Sequence, residues 1–79
     1  MKIAYVGNRA HHTTYGDRIA EVYYSDKEEE KALDMAWVLE MAGWKVDTGI
    51  YGVFYVKVED REDYDELVEM YKDLKKELA

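Results

Sequence analysis

Residues 25–43 read SDKEEEKALDMAWVLEMAG, and they set what the rest of the chain must cover. Ser25 and Glu28 stand at the spacing of a capping box, in which each side chain satisfies an amide at the start of a helix. Gly43 closes the run with the residue best suited to a left-handed helix end. Between these signals there is no Pro and no Gly, and most residues are good helix formers. The spacing predicts a helix over Asp26–Ala42. On a wheel of about 100° per residue, Ala32, Met35, Ala36, Leu39 and Ala42 form one stripe. Leu33, Trp37 and Met41 form a second at i, i+4, i+8, bordered by Glu30, Asp34 and Glu40. One sheet covers one stripe. The other needs a second helix or a partner.

Upstream of this helix, Lys2–Gly7 alternates, with Ile3 and Tyr5 on one side and Ala4 and Val6 on the other, as a strand does. Residues 8–17, NRAHHTTYGD, are polar and without period, and read as a loop. Arg18–Tyr24 alternates again, with Ala20, Val22 and Tyr24 on one side, and Tyr and Val favour a strand. Downstream, Trp44, Val46 and Thr48 share a face, Gly49–Gly52 supplies a turn, and Val53–Glu59 places Phe54, Val56 and Val58 together. These two segments predict a hairpin. Asp60 is a good cap for a last helix running to about Leu78. Its apolar face carries Tyr64, Leu67, Met70, Tyr71, Leu74 and Leu78. Its acids come early and Lys72, Lys75 and Lys76 late, as the helix dipole favours.

The order is therefore β-β-α-β-β-α. It predicts an α+β two-layer sandwich, a four-stranded and mainly antiparallel sheet with two helices on one face, as one domain over residues 1–79. A faint repeat links Asp26-Lys27-Glu28-Glu29 to Asp60-Arg61-Glu62-Asp63, 34 residues on. It reads either as duplication or as two helices solving one capping problem. If the repeat is structural, Leu33 and Trp37 face the sheet as Leu67 and Tyr71 do. Met35 and Leu39 then lie laterally and become candidate dimer contacts.

A chain of 79 residues buries only roughly 60% of its unfolded surface. It has no Cys, which removes disulfides and thiolate metal sites. Its apolar content of 48% makes a folded core the expectation. There is no apolar run of membrane-spanning length and no signal peptide, so the expected location is cytoplasmic. The net charge is -7, from 18 acids against 11 Lys and Arg. Such a field repels phosphate backbones and attracts basic surfaces, so the expected partner is a basic protein surface and not nucleic acid itself.

Catalytic and metal signatures are missing. His11 and His12 are adjacent, so on an extended chain they point apart, and there is neither HExxH nor a Cys partner. Thr13, Thr14 and Tyr15 make no nucleophile arrangement. No phosphate-binding glycine pattern and no EF-hand loop occurs. The expectation is a non-enzymatic protein with no metal and no cofactor. The acids are more informative. Seven of the eleven residues from Glu59 to Glu69 are acidic, more than capping requires. If both helices cross the sheet in the same direction, this cluster merges with Asp26, Glu28, Glu29 and Glu30 into one anionic patch. Tyr51 and Tyr55 alternate onto the strand face away from the predicted core, where exposed tyrosines suit an interface.

A small, Cys-free, strongly acidic α+β chain resembles the inhibitor proteins that phages make against host nucleic-acid enzymes, anti-CRISPR proteins among them. The resemblance lies in size and composition and involves no motif. It implies an inhibitor that occupies a basic nucleic-acid-binding groove, such as that of a CRISPR effector. Glu28, Glu29, Glu30, Glu62, Asp63 and Glu66 would then stand in for phosphates, with Tyr51 and Tyr55 as anchors. The alternative is a homo-oligomeric module joined through Met35 and Leu39.

Overall fold

The computed structural model describes residues 1–6 and 18–78. In them the chain runs β1 (Lys2–Val6), β2 (Ile19–Tyr23), one 3-10 turn (Asp26–Glu28), α1 (Glu29–Met41), β3 (Val46–Asp47), β4 (Val53–Lys57) and α2 (Arg61–Glu77). The α+β class and the β-β-α-β-β-α order are those expected. The four strands form one sheet in the order β1-β2-β4-β3. Every neighbouring pair is antiparallel.

Register and alternation build the core. Ile3 pairs with Val22, and Val22 with Phe54; Tyr5 pairs with Ala20, Ala20 with Val56, and Val56 with Val46. Side chains opposite one another share a face, so these residues line the face that both helices cover. Ala32, Met35, Ala36 and Leu39 of α1, with Tyr64, Leu67, Tyr71 and Leu74 of α2, are buried against them. Phe54, Met35, Leu39 and Leu67 are among its largest fully buried side chains. On the opposite face Ile19, Val53 and Tyr55 form a smaller buried cluster with Val6 beside it.

Local chemistry ends the helices where the sequence indicates. Glu28 Oε1 accepts from both the amide and the hydroxyl of Ser25. At the far end of α1, Gly43 takes φ +105°. Its N–H donates to Glu40 O at 3.0 Å, and the Trp44 N–H donates to Leu39 O at 3.1 Å. This is the bonding of a Schellman turn, which satisfies the last carbonyls and sends the next residue back over the helix. Trp44 accordingly packs against the core. Asp60 caps α2 by accepting from the Asp63 amide at 2.9 Å, and Asp63 reaches back to the Glu59 amide at 2.9 Å.

The sheet order overturns one expectation. Each helix doubles back from the strand that precedes it, α1 from β2 and α2 from β4, and those strands are antiparallel neighbours. The helices therefore run in opposite directions. Two contacts between them agree. The Trp44 indole N–H, just past the end of α1, meets Met70 Sδ of α2 at 3.2 Å. Leu78, at the end of α2, shares a surface hollow with Lys27, Glu30, Lys31 and Asp34 around the start of α1. The two acidic first turns sit at opposite poles, and no pooled anionic patch forms.

Candidate functional site

Of the two apolar stripes on α1, the one carrying alanines goes inward. Ala32 and Ala36 let the helix backbone approach the sheet closely, and Met35 and Leu39 fill the space on either side. Met35 and Leu39 are fully buried, so neither is a dimer contact. The other stripe faces solvent: Leu33 is 39%, Trp37 64% and Met41 69% exposed. The repeat thus fails as a guide to packing, since Leu67 and Tyr71 are buried while Leu33 and Trp37 are not.

The exposed stripe is a ridge. Leu33, Trp37 and Met41 follow one another at four-residue steps and span about 12 Å at 1.5 Å per residue. Glu30 and Asp34 flank it on one side and Glu40 on the other, and all three are exposed. No ion pair among the described residues engages these three carboxylates. Beside the ridge a groove of about 280 Å³ opens between α1 and β3, lined by Leu33, Ala36, Trp37, Glu40, Val46 and Thr48. It is smaller than the 300–1,000 Å³ typical of small-molecule sites.

The other anticipated site residues are dispersed. Glu28 is already engaged: its Oε2 accepts from the Met1 ammonium at 2.6 Å. That bond, with the Ser25 amide, holds its carboxyl down at about 2. Glu29 is half-buried beside it, while Glu30 is exposed. Glu62 and Glu66 are exposed at the opposite pole, and Asp63 is committed to the α2 cap. Glu66 and Asp63 also line a cleft of about 380 Å³ with Trp44, Met70, Lys45, Lys57 and Glu59.

The tyrosines separate as well. Tyr55 keeps only 7% of its surface exposed, so it does not belong to an open aromatic face. Tyr51 lies in the turn before β4 and is 64% exposed. It packs edge-on against Tyr24 with ring centroids 6.4 Å apart, and its hydroxyl donates to Asp26 Oδ1 at 2.5 Å. The bond to the Asp26 carboxylate pushes the Tyr51 phenol up to about 12.

Among the described residues no three His, Asp or Glu side chains converge as a metal set, and no helix is long and apolar enough to cross a membrane. His11, His12 and the loop expected over residues 8–17 lie outside the described residues. The Leu33–Trp37–Met41 ridge was visible in the sequence as the second stripe; the apparent repeat directed it to the wrong side. No protein-family model, curated protein or solved structure matches this chain.

Proposed function

We propose that this chain is a non-enzymatic binding protein that docks through the outward face of α1 onto a basic protein surface, of the sort nucleic-acid-binding proteins present. One observation carries the reading: Trp37 stands 64% exposed on an apolar ridge bordered by carboxylates that form no ion pair among the described residues. Leaving such a ridge in water forgoes the favourable burial that a partner supplies. Trp is the residue most often found to dominate binding energy at interfaces. Glu30, Asp34 and Glu40 select the partner's sign and speed its approach. Binding through the two helix N-termini together is not retained, because those turns lie at opposite ends.

Quantitative capture from a lysate of cells that contain the protein tests this. A basic protein should be retained by the wild type and by the Glu62→Lys/Glu66→Lys variant. It should be lost at least tenfold by Trp37→Ala and by Glu30→Lys/Asp34→Lys/Glu40→Lys. Capture indifferent to both α1 variants would remove the reading.

A further inference from the structure

We infer that the partner element is an amphipathic α-helix whose apolar seam is flanked by Lys or Arg; this rests on the docking role of α1 proposed above. The ridge geometry points to a helix. Leu33, Trp37 and Met41 form an i±4n row, the surface feature that interdigitates when two helices pack. The neighbouring rows run through Glu30 and Asp34 on one side and through Ala36 and Glu40 on the other. A partner side chain entering beside Ala36 meets the groove that Leu33, Trp37 and Val46 line. The ridge length of about 12 Å matches two turns of a partner helix, read as anchors at i, i+3 or i+4, and i+7.

Charge chooses between occupants. A second copy packed on the same ridge would bring Glu30, Asp34 and Glu40 against their own likenesses, in a chain of net charge -7. Like charges across an interface oppose pairing, whereas Lys or Arg on both flanks of a seam meets carboxylates on both sides. Met41 adds a side chain that adapts to different apolar contacts.

The test uses the full chain with Trp44→Phe, which leaves Trp37 as the single indole reporter. The probes are three synthetic helical peptides: a Leu seam flanked by Lys, the same seam flanked by Glu, and a scramble of the Lys peptide without a seam. The Lys-flanked peptide should shift Trp37 emission to the blue, with binding at least tenfold tighter than either control and weaker in high salt. Calorimetry with Trp37→Ala in the otherwise native chain should show at least a tenfold loss. Equal binding of the three peptides, or no shift up to millimolar peptide, overturns the inference. Sedimentation showing a wild-type dimer that Trp37→Glu dissociates would assign the ridge to a second copy and also overturn it. If the peptides fail while lysate capture still depends on Trp37, the docking surface stands and only the helical partner is lost. If Trp37→Ala leaves lysate capture intact, the docking surface itself is lost.

Discussion

The indole N–H of Trp44 reaches Met70 Sδ, 3.2 Å away, and joins the exit of α1 to the middle of α2. The Schellman turn at Gly43 places Trp44 there, and Met70 comes from the helix that starts at this same end of the sheet and runs back beside α1. Local backbone chemistry thereby becomes a tertiary clamp between antiparallel helices. Trp44→Ala should cost about 2 kcal/mol, less than a fully buried Trp because the side chain is only partly buried. Trp44→Phe should cost under about 1.5 kcal/mol, since most of the apolar volume is kept. Urea unfolding measures both, and equal losses for the two variants would show that the clamp is not a matter of ring packing.

Substitutions on the two stripes of α1 should separate cleanly. Leu39→Lys or Met35→Lys places a charge in the core and should leave the chain largely unfolded, because a small domain has only about 5 kcal/mol or somewhat more to lose. Trp37→Lys should change stability by no more than about 0.5 kcal/mol, the usual range for an exposed site. Circular dichroism and thermal melts decide the matter. A folded Leu39→Lys variant with altered oligomeric state would restore the dimer contact that the structure removes.

Glu28 ties α1 to the start of β1 and gives stability an acid dependence. Its folded carboxyl titrates at about 2, below the ordinary 4.5, because the Met1 ammonium and Ser25 favour the charged form. A depressed value means that the unfolded chain binds the proton first. The stabilisation is present above about 4.5 and is lost as pH falls from there toward 2. Glu28→Gln should therefore lower the melting temperature at pH 7, and the gap to wild type should close by about pH 2 to 3. A gap that persists unchanged at low pH would show that the charge of Glu28 is not its source.

The cap of α2 should behave as a reciprocal pair. Asp60→Ala removes the acceptor for the Asp63 amide and should cost about 1 kcal/mol. Asp63→Ala removes the acceptor for the Glu59 amide at the same turn. Its cost should be similar, and the double variant should lose less than the sum, since the two bonds support one turn. Strict additivity in denaturant melts would mean that the caps act independently. Glu62→Lys, outside this network, should cost less than either.

Much of the fold was legible because its determinants are local. Alternation marked β1, β2 and β4, and the sequence expectation exceeded β3 only in length, since two residues pair where five alternate. Ser25, Glu28, Gly43 and Asp60 act within a few residues of themselves, so their helix ends appear where the spacing puts them. The inward face of α2 was equally plain, because it has one apolar stripe and no competitor. The docking ridge was harder. α1 has two apolar stripes, and the small Ala32 and Ala36 favour the first only once a sheet is placed against the helix.

The amino-acid order thus sufficed for the elements, their caps and the sign of the surface, all of which depend on near neighbours and on charge counts. Three things were settled only in three dimensions: which stripe of α1 turns inward, where Tyr55 goes, and that the acidic helix starts part company. The last of these follows from pairing Ile19–Tyr23 with Val53–Lys57 in antiparallel register, a contact between distant segments. That pairing points the two helices oppositely and brings their ends together crosswise, while Trp37 rather than Met35 faces water because the alanine-bearing stripe packs into the core.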